Sequence, residues 1–268
     1  GDRRIVNDLH IQKEKPEESM SIFDPERYSD LDSPLHRWET RAKLISLFML
    51  LISIVIAGGI GQALAGLIVS MLLVLISGLP LSHVLRFMKW PFLFLLPLLV
   101  ILPIAAGGDN LFSYHILTVS RQGLQLGVLF MIRGIAAALL ALIMVGTAPF
   151  NVNINALRSL GMPGPLTQIF LFAYRYIFLF YDDLQTMRRS LASKGFEMRS
   201  SARSARILAV SVAMLLIRSY ERSEDVFNAM LSRGYQGRLP SGQKMMIKGD
   251  DLLKGFLVIA AALIIQYV

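Results

Sequence analysis

The sequence predicts an all-α membrane protein with about five transmembrane helices plus a cytosolic domain of two long helices. Three observations predict it. Charge-poor apolar runs close to membrane-crossing length recur between Leu44 and Thr147 and again from Leu252 to Val268. Lys and Arg fall almost entirely in segments that share one side when those runs are threaded up and down. A basic stretch between Pro149 and Gly249 holds apolar segments that are interrupted or too short to cross, and it repeats itself. The domains read from these patterns are a polar tail over 1–32, transmembrane helices over 33–148, a cytosolic two-helix domain over 149–249 and a last transmembrane helix over 250–268.

Gly1 to Asp32 is charged and has no apolar face to bury, so it reads as a flexible tail without a cleavable signal peptide. Asp32 or Ser33 suits the cap of a short amphipathic helix with Pro34 at its first position. Trp38 suits the membrane interface, and Arg41 and Lys43 stand just before the first run, Leu44 to Ile60. Gly58, Gly59 and Gly61 mark a turn, and Ala63 to Leu79 is the returning helix. Leu81 to Trp90 carries His83, Arg86 and Lys89 and reads as a cytosolic connection. Pro91 to Ala106 holds Pro91, Pro97 and Pro103 and reads as a third crossing, with a re-entrant segment as the alternative. Gly107 to Arg121 is a polar outer loop. Leu124 to Thr147 is a fourth crossing interrupted by Arg133. An intramembrane charge is costly, so Arg133 either braces helices or lies in a transport path. With the N-terminus in the cytosol, the inner connections hold nearly all the cations, which places the chain in the inner or plasma membrane as a multi-pass protein.

Of the 268 residues, 54% are hydrophobic, a small excess over the roughly 45–50% of soluble domains, so the distribution carries more than the mean. The net charge of +8 accompanies long apolar runs, so positive-inside loops explain it better than nucleic acid as a partner. There is no cysteine, and the four histidines are scattered. A metal site or cofactor site within this chain is not expected, and no catalytic residues stand out. The nearest approach to a phosphate loop, Gly237 to Lys244, has Gln243 where the motif needs Lys. The first four crossings contain no Asp or Glu, which argues against an enzyme within the membrane. A self-contained secondary transporter remains an alternative, faintly supported by Pro97 and Pro103.

The apolar stretches Leu166–Tyr181 and Ile207–Ile217 read as amphipathic or buried helices, because Arg175 interrupts one and the other is far too short to cross. They resemble each other at an offset of 39 residues. Tyr181-Asp182 matches Tyr220-Glu221, and Ser193-Lys194-Gly195-Phe196 matches Ser232-Arg233-Gly234-Tyr235. Gly195 and Gly234 sit where a helix stops, with Lys194 and Arg233 in its last turn. Two ordinary helix ends are one reading. A pair of basic tips docking into acidic or carbonyl-lined grooves is the other.

These motifs resemble the Ala-Arg-Gly signature pair of the transmembrane T component of energy-coupling factor transporters. Ser33 to Arg37, Arg41 to Leu44, Thr147-Ala148-Pro149 and Gly161-Met162-Pro163 fall where that family has similar segments. Lys194 stands in place of Arg, and Ser193 and Ser232 in place of Ala. The resemblance implies a non-catalytic scaffold of an ATP-driven importer, with ATP bound by partners. Two ATP-binding-cassette ATPases would dock at Ser193, Lys194, Gly195, Ser232, Arg233 and Gly234. A separate substrate-binding membrane subunit (the S component) would rest on Phe170, Tyr174, Ile177, Val210, Met214 and Ile217 of the two coupling helices. The resemblance is nearest to the cobalt branch, with nickel or a vitamin as alternatives.

Overall fold

The computed structural model describes residues 35, 38–105, 110–114, 117–196, 201–237 and 249–267. The tail 1–32, the entry residues Ser33, Pro34, His36 and Arg37, and residues 238–244 lie outside the described residues. The chain divides into two compact units, Gly1–Ala156 with Met245–Val268, and Leu157–Lys244.

The first unit is a helical bundle of α1 (Thr40–Ile56), α2 (Ile60–Ser77), α3 (Leu81–Ala105), α4 (Arg121–Gly146) and α8 (Gly249–Tyr267), followed after α4 by the start of the short α5 (Phe150–Ser159). By length and composition α2, α3 and α4 are each sufficient to cross a membrane. Helices α1 and α8 hydrogen-bond to each other. Ser53 Oγ donates to the Ala262 carbonyl at 2.6 Å, and Gln266 Nε2 donates to the Ser53 carbonyl at 2.8 Å. Lipid offers helices little hydrophobic drive to associate, so close packing and such bonds, about 0.6 kcal/mol each on average, hold a bundle together.

Every helix of the bundle reverses direction from the one before it along α1 to α4. At one end Trp38 Nε1 donates to the Asp251 carbonyl at 3.1 Å, joining the starts of α1 and α8. At the same end Lys43 Nζ, fully buried, donates to Thr147 Oγ1 at 2.9 Å and to the Thr147 carbonyl at 3.2 Å, joining the start of α1 to the end of α4. At the other end Gln62 of α2 donates to the Gln266 carbonyl of α8 at 3.1 Å. The core is a stripe of α1 (Leu47, Leu50, Ile54) against Leu140 and Ile143 of α4 and Ala262 and Ile265 of α8. Gly66 lets Ile54 lie against α2, because a Cβ there would meet its Cγ1 at 2.6 Å.

Four expectations need correction. Leu81 to Trp90 is not a connection but the first ten residues of α3, a single helix of 25 residues that also replaces the re-entrant alternative. Its length, about 37 Å, exceeds the hydrocarbon thickness of about 30 Å, so its first turn, with His83, can sit outside the apolar layer, and the long side chains of Arg86 and Lys89 can snorkel back to that edge. The three prolines are accommodated inside it, and at Leu99, whose carbonyl Pro103 cannot bond, α4 comes close: a Cβ on Gly127 would lie 3.4 Å from Leu99 Cα. Trp38 is buried against α8 rather than presented to an interface. The segment expected as an outer loop, Gly107 to Arg121, contains a two-stranded antiparallel hairpin, β1 (Asn110–Tyr114) and β2 (Leu117–Ser120), and Arg121 opens α4 beneath the cap of Ser120. Lastly, Gly61 belongs to the first turn of α2, so Gly58 and Gly59 alone form the turn, their amides donating to Gln62 Oε1.

The second unit is built on α6 (Gly164–Ser193) and α7 (Ala202–Ser232), 30 and 31 residues long. Each is about 45 Å of uninterrupted helix. Pro165 sits in the first turn of α6, and Ser201 caps α7 by accepting from the Ser204 amide at 3.2 Å.

Candidate functional site

The repeat seen in the sequence is a repeat of geometry. At the end of α6 the Phe196 amide donates to the Leu191 carbonyl at 3.0 Å and the Gly195 amide to the Ala192 carbonyl at 2.9 Å. At the end of α7, 39 residues on, Tyr235 donates to Met230 at 3.0 Å and Gly234 to Leu231 at 2.9 Å. Gly195 and Gly234 have φ of +76° and +82°, the left-handed geometry that this pair of bonds requires. Lys194 and Arg233 occupy the C-cap, one position past the last helical residue rather than within the last turn. Both are exposed. Their charge still faces the unpaired terminal carbonyls.

Ser193 and Ser232, which replace Ala, match as well. Each hydroxyl donates back to its own helix, to the Arg189 carbonyl at 2.9 Å and the Asn228 carbonyl at 3.0 Å. The extra oxygen is therefore bonded within its own helix.

The two helices run antiparallel and meet between repeat-equivalent positions. Arg222 Nη1 bonds to Asp183 Oδ2 at 3.3 Å, and these residues are separated by the repeat offset itself. Eleven residues separate Asp183 from Lys194, and eleven separate Arg222 from Arg233. Each tip thus stands about 16 Å of helix away from the crossing, in opposite directions. The aromatic that follows each Gly folds toward the other helix. Tyr235 Oη donates to Gln168 Oε1 at 2.7 Å, and Phe196 joins Leu208, Gln185, Arg188 and Arg189 around a cavity of about 360 Å³. The crossing pair was missed in the sequence, although the 39-residue offset between an acid and a cation was there to be read.

Of the six residues expected to face a membrane partner, Phe170, Ile177, Val210, Met214 and Ile217 are between 42% and 59% exposed, and Tyr174 is half-buried with its ring edge-on to Phe178 at 5.3 Å. A second aromatic ladder, Phe172–Tyr176–Phe180, runs along α6. Arg133 lies at the middle of α4, with its guanidinium 6.0 Å from the Phe130 ring. Among the described residues there is no cluster of three metal-ligating side chains.

Residues 32–245 match the family described as cobalt transport protein. The chain belongs to that family. It is 29% identical to the energy-coupling factor transporter transmembrane protein EcfT of Macrococcus caseolyticus, over 90% of this chain and 96% of that protein. It is 26% identical to EcfT of Limosilactobacillus fermentum, over 87% and 92%. An uncharacterized protein of Methanocaldococcus jannaschii is 26% identical over 90% and 85%. The chain is thus a transmembrane subunit of an energy-coupling factor transporter, and the ends of α6 and α7 described above both lie within the matched span.

Proposed function

We propose that this subunit is the non-catalytic scaffold that carries force from two ATP-binding-cassette ATPases to a substrate-binding membrane subunit, in a cobalt importer of the plasma membrane. One observation carries the reading: two cationic helix ends of the same backbone geometry at equal distance from a crossing. A single helix end is an ordinary cap. Two ends with the same backbone bonds, an exposed cation at the same position (Lys194 and Arg233) and the same arm length suit two equivalent motor partners. Nucleotide binding and hydrolysis belong to those partners. The exposed apolar faces around Ile177 of α6 and Val210 and Ile217 of α7 need cover, which the substrate subunit supplies. The cations at the bundle end that holds Arg41, Arg86, Lys89 and Lys254 favour that end, and the N-terminus, on the cytosolic side. Cobalt rests on the family description, and nickel or a vitamin is the alternative cargo.

The test is co-purification with the ATPases of the same transporter. Lys194→Glu combined with Arg233→Glu is expected to release both ATPases and abolish uptake while the membrane bundle remains intact. Retained ATPases with full uptake in that double variant would reject the reading.

A further inference from the structure

Arg133 is placed where a cation is hardest to keep. Twelve residues separate it from Arg121 and thirteen from Gly146, so it lies at the centre of α4. Its Nε is buried and has no hydrogen-bond partner among the described residues. Its guanidinium lies 6.0 Å from the Phe130 ring, an aromatic face that eases a cation without supplying a counter-charge. Helices α1 to α4 contain no Asp or Glu, and α8 offers only Asp250 and Asp251 in its first turn. That turn lies at the end of the bundle beside Trp38, about half a membrane thickness away.

Outside this chain four counter-groups come into question, and three fail on distance or charge. A lipid phosphate lies beyond the hydrocarbon edge, about 15 Å from the midplane, while an Arg side chain spans about 7 Å. A second copy of this bundle brings a second Arg133 and no carboxylate at that depth. A transported metal cation is repelled by a guanidinium, so the residue does not line its path. What remains is a carboxylate on another membrane-spanning chain. Leu126, Phe130, Arg133 and Ala137 fall on one stripe of α4, and Leu126 and Phe130 are both more than 40% exposed, so that stripe is open to such a neighbour.

We propose that this stripe is a docking surface for a transmembrane helix of the substrate-binding subunit, and that an Asp or Glu of that helix at mid-membrane depth pairs with Arg133. The proposal rests on the scaffold reading above. In hydrocarbon each member of such a pair is poorly tolerated alone, so the pair selects its partner by depth and by sign.

The test uses the whole transporter, expressed together. A photo-crosslinking benzoylphenylalanine in place of Phe130 is expected to yield an adduct with the substrate subunit, mapping within one helical turn of a membrane-embedded Asp or Glu. Arg133→Leu is expected to lower recovery of that subunit about tenfold and Arg133→Lys to restore most of it, while ATPase recovery, which depends on Lys194 and Arg233, stays unchanged. Adducts with lipid or with a second copy alone, or full recovery of the substrate subunit with Arg133→Leu, overturn the proposal. So does unaltered assembly with lost transport, which assigns Arg133 to an anionic cargo. If Arg133→Leu does not accumulate, the Phe130 adduct decides. Loss of the ATPases in wild-type preparations would instead count against the scaffold reading.

Discussion

At Gly195 and Gly234 nothing lies within 4 Å of where a Cβ would sit, so space does not demand glycine there. Backbone conformation does, because an L-residue with a Cβ at φ near +80° costs about 1 kcal/mol relative to Gly. Gly195→Ala or Gly234→Ala is therefore expected to loosen only its own helix end. The measurable outcome is faster amide hydrogen exchange at Phe196 or Tyr235 respectively, by about fivefold, with the other tip unaffected. Asn, which tolerates the left-handed region, is expected to behave closer to wild type at both positions. These residues were legible in the sequence because the rule that places them is local: a polar helix, a cation, then Gly. Lys43 was not. As the last cation before an apolar run it reads equally well as a water-facing anchor, and only the folded bundle brings Thr147, 104 residues away, to its ammonium.

At the scale of elements, α6 and α7 were legible as a repeated pair because 39 residues separate matching motifs, but their relation to one another was not. The contact that fixes it, Asp183 with Arg222, is partly exposed, with side chains 27% and 37% accessible. A surface pair of this kind contributes on the order of 0.5 kcal/mol, so its role is to set register more than to add stability. Spin labels on the repeat-equivalent positions Arg188 and Phe227 report that register. Asp183→Arg alone and Arg222→Asp alone are each expected to broaden the label-to-label distance distribution, and the double reversal to narrow it again. Equal widths in all four proteins would remove the pair from any positioning role. The misreading of α3 has a related cause. Periodicity and proline rules describe an isolated helix, whereas the carbonyl that Pro103 leaves unbonded at Leu99 lies under Gly127 of α4, a contact no local rule contains.

For the whole molecule, the up-and-down threading was readable from charge asymmetry, but the order of helices within the bundle was not. All five are apolar, and a few scattered polar side chains, Ser53, Gln62 and Gln266 among them, distinguish those that bond to each other. The charge pattern also separates the two tips that the backbone makes alike. Residues 184–196 carry Arg188, Arg189 and Lys194 and no carboxylate, whereas the equivalent residues 223–235 carry Glu224, Asp225 and Arg233. One tip presents three exposed cations and the other a lone cation behind two exposed acids. Salt screens exposed charges more strongly as the Debye length falls from about 10 Å at 0.1 M to about 3 Å at 1 M. If both tips grip ATPases, their grips must therefore respond differently to salt. With Arg233→Ala, so that the α6 tip holds alone, raising salt from about 0.1 M to 1 M is expected to weaken ATPase retention about tenfold. With Lys194→Ala, so that the α7 tip holds alone, the same change is expected to alter retention about twofold or less, because its acids and its cation are screened together. Binding of the purified ATPases to each detergent-solubilised variant across a salt series measures both slopes. Equal slopes would show that the residues flanking the two cations stay clear of the ATPase surface, and would confine docking to the Ser-cation-Gly ends alone.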